Sequence, residues 1–206
     1  QSAPELRELE DALLSSSEIP DGFEKIDSDD DEDDEDDEDD EDNPFEGSCL
    51  ADVGDVDETA GEPDVEATVE YEQPDVDLAA NIEANVAFHE DDVADDYQDT
   101  IDDIKECTEV DTTDEDGLNY RLTINTEDLD DSDIDGVEDA DVASRFTMSG
   151  TVSYQGQSFD VTFAFVVILV DHHASTVFTS EFDSSDLADE IDSLAEAQLE
   201  RVLELV

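Results

Sequence analysis

Apolar residues in this chain recur at two spacings, and the switches between them mark out elements. Leu6, Leu9, Leu13 and Leu14 share one helical face, and Pro4 suits a first helical turn, so a helix is predicted over 4–14. Ser17 to Phe23 then reads as a turn with apolar anchors. Alternation takes over in Val65 to Tyr71 and again in Asn81 to Phe88, the pattern of half-buried strands. Val93, Ala94, Tyr97, Ile101 and Ile104 return to helical spacing and predict a helix over 91–106, with Asp91 and Asp92 at its start and Lys105 near its end.

The second half is dominated by strands. Tyr120, Leu122 and Ile124 alternate; so do Phe146, Met148 and Val152 within Val142 to Tyr154. The turn Tyr154 to Gln157 leads into Ser158 to Val170, which alternates first and then becomes apolar on both sides. That change predicts a central strand covered on both faces at its end. Asp171-His172-His173 opens a last strand to Phe182, and Ser185-Asp186 can cap a final helix from Leu187 to Leu205. Hairpin-linked strands interspersed with helices predict an α+β fold: an antiparallel β-sheet of about five or six strands with helices packed on one face.

Charge changes the picture. The 206 residues carry 69 Asp and Glu against 6 Lys and Arg, a net charge of −63. Every residue from Asp29 to Asp42 is acidic, a run that repels itself and stays solvated. The expected organisation is an N-terminal helix and turn over 1–28, a disordered acidic insertion over 29–42, and a single α+β domain over 43–206 against which the N-terminal segment packs. A wholly disordered acidic chain would lack large apolar residues; here 36% are hydrophobic, many of them in the patterned segments above.

A folded chain of this mass exposes roughly 9,500 Å², which sets the net charges about 12 Å apart. The Debye length is about 8 Å at 0.15 M salt and about 3 Å at 1 M, so such a surface calls for a salt-rich, halophilic setting. A mesophilic acidic protein that buffers calcium or mimics nucleic acid is the competing reading. The six basic residues are scattered, which argues against nucleic acid and anionic membrane as partners. The longest apolar run, Phe163 to Val170, has strand length and is too short for a transmembrane span.

Candidate chemistry is sparse. Cys49 and Cys107 are the two cysteines. In an exported chain they suggest one disulfide, closing a loop of about 58 residues and contributing roughly 4 kcal/mol; two buried free thiols are the alternative. A chain beginning at Gln1 is what removal of a secretory or lipoprotein leader would leave, so the expectation is an extracytoplasmic protein, secreted or lipid-anchored. Asp131, Asp133 and Asp135, followed by Gly136, match the first half of an EF-hand calcium loop, but position 12 is Val142 where a bidentate Glu is needed. His172 and His173 point to opposite sides of a strand; His89 could join one of them at a zinc site only if the strands ending near 88 and 171 are adjacent. No nucleophile elbow or phosphate loop is present, and no cofactor is expected.

In order and spacing the chain resembles the sensor-domain-like exported proteins of actinobacteria, whose best-known relatives are the extracytoplasmic sensor domains of PknH-type protein kinases and related lipoproteins. The residues that carry the resemblance are Leu13-Leu14-Ser15 with Ile19-Pro20-Asp21-Gly22-Phe23, Cys49, and the strands containing Tyr71 and Phe88. They continue with the helix ending in Cys107, Gly136-Val137-Glu138-Asp139-Ala140, the apolar strand at 163–170, and the final helix with Ala195 to Val202. The acidic insertion is extra, and the further cysteines of the kinase sensors are missing.

The resemblance implies a lone extracytoplasmic binding domain with a cleft beside the sheet; a monomer is expected. Its expected role is to bind a small ligand or envelope component, without catalysis. The alternative is a structural or solubilising envelope protein whose acidic tract binds cations or a cell-surface polymer. An enzyme is the third and least favoured reading.

Overall fold

The structure is a computed structural model that describes residues 3–26, 49, 63–74, 79–113, 117–184 and 186–206. The acidic run 29–42 lies outside the described residues. Among the described residues eight strands form one fully antiparallel sheet: β1 (Glu24–Lys25), β2 (Val65–Glu72), β3 (Asn81–Phe88), β4 (Glu109–Thr113), β5 (Asn119–Asp128), β6 (Val142–Tyr154), β7 (Gln157–Val170) and β8 (His173–Phe182). Their spatial order is β1-β2-β3-β8-β7-β6-β5-β4. Among the described residues three α-helices accompany them: α1 (Leu6–Ala12), α2 (Ala94–Glu106) and α3 (Asp186–Val202).

The α+β, antiparallel character is as the alternation predicts, but two features differ. Eight strands replace five or six. β1 has two residues, both exposed, and the edge strand β4 buries one side chain, Val110, so neither writes a readable alternation. The helices also pack on both faces, not one. Leu9 and Ala12 of α1 and Leu187, Ile191, Leu194 and Leu199 of α3 meet Val69, Ile82, Val166 and Val177 on the first face. Tyr97, Ile101 and Ile104 of α2 meet Leu122, Ile124, Phe146 and Leu169 on the second.

This two-sided cover explains the sequence of β7. Val166, Ile168 and Val170 face α1 and α3, while Val167 and Leu169 face α2. A strand buried from both sides must be apolar at every position. At the other end of β7 one side is less covered, and alternation returns.

Local turns follow their residues. Gln155 and Gly156, at φ 50° and 84°, make the two-residue turn of the β6–β7 hairpin. Gly150, inside β6, sits against the backbone of β5. A Cβ there would fall on the Arg121 carbonyl oxygen and lie 2.9 Å from its carbon and 3.0 Å from Leu122 Cα. The close approach of two backbones dictates glycine.

Polar links fasten the helices to the sheet and to one another, and buried Gln198 of α3 adds bonds to the Asn85 carbonyl at 2.9 Å and Ser175 Oγ at 3.0 Å. Tyr71 Oη donates to the Leu14 carbonyl at 3.0 Å. Arg201 of α3 donates to the Leu13 carbonyl and the Glu18 carboxylate. Arg145 of β6 spans Glu127 and Asp192 of α3. Lys105 of α2 pairs with Asp128 at 2.8 Å and Asp102 at 3.2 Å. Cys49 and Cys107 are joined in a disulfide, with their Cα atoms 5.7 Å apart, so the free-thiol alternative falls. The bridge holds position 49 at the end of α2, where Cys49 Sγ lies 3.8 Å from the Glu109 carbonyl oxygen.

Candidate acidic cleft at the start of the last helix

β8 places an acid where alternation puts a buried side chain. Ser175, Val177 and Thr179 turn toward α3, and Glu181 continues that row at 4% exposure. Its Oε1 accepts from the backbone amides of Leu187 at 2.9 Å and Ala188 at 3.1 Å. Those amides belong to the first turn of α3, which has no intrahelical acceptor for them. A carboxylate from the preceding strand therefore caps the helix and favours its positive end. Ser184 Oγ accepts from Asp186 N at 3.2 Å. Ser185, predicted as the cap, lies outside the described residues.

The capped end of α3 borders a cleft of about 280 Å³. Pro20, Asp21 and Phe23 line it from the N-terminal turn, Gln73 and Ala80 from the ends of β2 and β3, and Glu181 and Phe182 from β8. Asp186, Leu187 and Glu190 complete it from α3. Ala80, Glu181 and Leu187 are buried, Phe23 and Phe182 are half-buried, and Asp21, Asp186 and Glu190 are exposed. The result is a concave, partly aromatic surface with carboxylates and no cation among its lining residues. Its volume is close to the lower end for small-molecule sites.

The predicted calcium loop has a different local structure. Asp131 Oδ1 accepts from Gly136 N at 3.1 Å, and Asp133 Oδ2 accepts from Asp130 N at 3.0 Å. Asp130 Oδ1 accepts from Ser132 Oγ at 2.5 Å and Ser132 N at 2.7 Å, bonds that hold the Asp130 carboxyl below its ordinary pKa. Ile134 plugs the core beneath, and Gly136 takes φ 88°. The aspartates thus fold the turn by accepting from its own amides; Asp135 is exposed and Val142 is buried in β6. Among the described residues, no group of three or more His, Cys, Asp or Glu is arranged to hold a metal ion.

The histidines do meet at one corner. Phe88 pairs with His173, and His89 N donates to the His172 carbonyl at 2.9 Å, so the adjacency that a shared site required is present. The rings nevertheless divide between the two sides of the sheet. His89 Nε2 lies 3.4 Å from Tyr97 Oη of α2, whereas His173 packs on Phe88 at 5.1 Å between ring centres. Burial first, then neighbouring His172, lowers the His173 pKa against the opposing pull of Asp171. The two cysteines, being bonded to each other, supply no ligand.

Of the cleft residues, the sequence pattern marks Pro20, Asp21 and Phe23 as part of an anchored turn, but nothing in it marks them or the others as a site. The available signal was Glu181, an acid in register with the buried row of a strand and a few residues ahead of a helix. No family model and no curated protein matches the chain.

Proposed function

We propose that this protein is a non-catalytic, extracytoplasmic binding module of a salt-adapted microbe, and that the cleft beside α3 holds a small, positively charged ligand. The observation that carries this reading is the cleft itself: aromatic and aliphatic walls for an organic body, carboxylates for a cationic group, and no lining Lys or Arg to compete. The disulfide supports an oxidising location. The resemblance to exported sensor domains supports a binding role, carried out by a monomer that is free or lipid-anchored.

Titration calorimetry in molar KCl tests it, with alkylammonium, diamine and guanidinium compounds against neutral and anionic analogues. Saturable binding restricted to cations is expected, weakened about tenfold by combining Asp21→Asn with Glu190→Gln. Failure of every cation to bind saturably, or equal binding by the double variant, would remove the cleft from consideration. The alternative of an acidic envelope protein working through its carboxylate tract predicts instead that deleting Asp29 to Asp42 abolishes binding.

A further inference from the structure

Among the described residues Glu181 is the only buried carboxylate, at 4% exposure. Buried charges in proteins are ordinarily paired with a charge of opposite sign. Glu181 has no such partner in its own chain. Lys105, Arg121, Arg145 and Arg201 form ion pairs with other acids. Arg7 and Lys25 neither pair with Glu181 nor line the cleft it borders. The three histidines gather at the opposite end of β8. The segments outside the described residues contain no Lys, Arg or His, so they supply no counterion either.

The bonds that Glu181 does make are lopsided. The amides of Leu187 and Ala188 both donate to Oε1. A carboxylate oxygen offers about two lone pairs, so that atom is filled by the helix. Oε2 accepts nothing among the described residues and is not sealed from solvent. Glu181 lines the cleft together with Phe23, Phe182, Ala80 and Leu187, so the open oxygen belongs to that cavity. The other carboxylates there, Asp21, Asp186 and Glu190, are exposed. At 1 M salt the Debye length is about 3 Å, and exposed charges are screened far more than buried ones. In a salt-rich solvent the discrimination between ligands therefore falls to Glu181.

Taking the cleft as the cation site proposed above, on which this step rests, we infer that Glu181 Oε2 selects the ligand, and that it selects a primary ammonium on a small apolar body. An ammonium is a compact charge with three donors, and one of them satisfies a single open oxygen. A guanidinium is best held by two parallel bonds to both oxygens of a carboxylate, and here one oxygen is already occupied. A quaternary ammonium has no N–H to give. The positive end of α3 opposes any cation nearby, which makes a direct N–H bond, and not charge alone, decisive. The cleft volume of about 280 Å³ corresponds to about nine molecules of liquid water, which limits the body to a short alkyl chain or one ring. Once bound, the ammonium supplies the counterion that the buried acid lacks.

The test compares three cations of equal charge and equal chain on the full protein in molar KCl, by titration calorimetry: n-butylammonium, n-butylguanidinium and n-butyltrimethylammonium. The primary ammonium should bind at least about tenfold more tightly than either of the others, the scale of one hydrogen bond to a charged group. Glu181→Gln keeps an oxygen for the two helix amides and turns the open acceptor into a donor, so it should erase that preference. Combining Asp21→Asn with Glu190→Gln should instead weaken all three cations alike and preserve their order. Equal affinities, or a preference for the guanidinium or quaternary compound, would overturn the inference while leaving the cleft a cation site. A primary-ammonium preference that survives in Glu181→Gln would overturn it too. The order on the native protein is measured first and decides the inference by itself where that variant does not fold. Failure of all three cations to bind would remove the cleft reading and this inference together.

Discussion

Replacing Arg201 by Met keeps the aliphatic stem and removes the guanidinium that joins α3 to the N-terminal segment. In the native protein that group donates to the Leu13 carbonyl and the Glu18 carboxylate, with the Arg201 and Glu18 side chains only 28% and 25% exposed. Breaking a fully buried ion pair costs about 3–5 kcal/mol. Residual exposure and salt screening reduce that here to about 1–3 kcal/mol. For a chain of this size each kcal/mol moves the melting temperature by about 2–4 °C, so the variant should melt roughly 3–10 °C lower in molar KCl. The loss should be local first: backbone amides of 6–14 should exchange faster than those of β7.

A pH signature accompanies the loss. Burial raises the Glu18 carboxyl, but the Ser15 amide, Arg201 and the Ser15 hydroxyl together outweigh it and hold the pKa below 4.5. A carboxyl whose folded pKa is depressed stabilises the fold above its unfolded pKa, and that contribution is lost as pH falls through the lower folded value. Without Arg201 the depression shrinks, so the variant should lose less stability than the native protein on acidification below about pH 4.5. Unchanged melting and unchanged exchange over 6–14 would refute the assignment of Arg201 as the clamp.

Other outcomes follow from the same structure. Gly150→Ala should lower stability by about 1–3 kcal/mol, read as a drop in melting temperature, since the atoms its Cβ meets are backbone; an unaltered melt would contradict the close approach of β5 and β6. Cys49→Ser should cost up to about 4 kcal/mol on loop length, and a reductant should produce the same fall in the native protein and none in the variant. His173, buried and of lowered pKa, contributes stability that is present above its unfolded value of about 6.5 and declines as pH falls below it; His173→Leu should flatten that part of a stability–pH curve. Circular dichroism should show the fold strengthening from 0.15 M to 1 M KCl as the Debye length shrinks from about 8 Å to about 3 Å; a salt-independent spectrum would contradict the proposed halophily.

Much of the fold was written in periodicity. The strands around Val69, Val86, Val152 and Val177 alternate because each has one well-covered face, and Phe163 to Val170 announced its central place by becoming apolar on both. The side on which each helix packs was not legible: Tyr97, Ile101 and Ile104 form the same stripe whichever face receives them. The crossing from β3 to β4 could run over either face; α1 and α3 fill the first, and α2 lies on the second. Glu24 and Lys25 leave no pattern because two exposed residues have no inward side. The cleft was hidden for a different reason. Among so many carboxylates, Asp21 and Glu190 look like any others, and only the fold shows that residues far apart in sequence meet around one concavity.

The placement of scarce cations ties these observations together. Burial of apolar stripes draws the helices onto the sheet, while carboxylates on every element except β6 push them apart. Each helix is pinned by a half-buried cation: Arg201 draws the segment after α1 to α3, Arg145 draws α3 to β6, and Lys105 draws α2 to β5. The disulfide adds a covalent fastening at the end of α2. Half of the chain's cations are thereby committed to seams between elements. Arg121 joins Asp111 across the β4–β5 seam as well, and neither it nor Arg7 nor Lys25 lines the cleft. The cleft consequently carries carboxylates with no lining cation to neutralise them, while the clamps keep the scaffold beneath it in register.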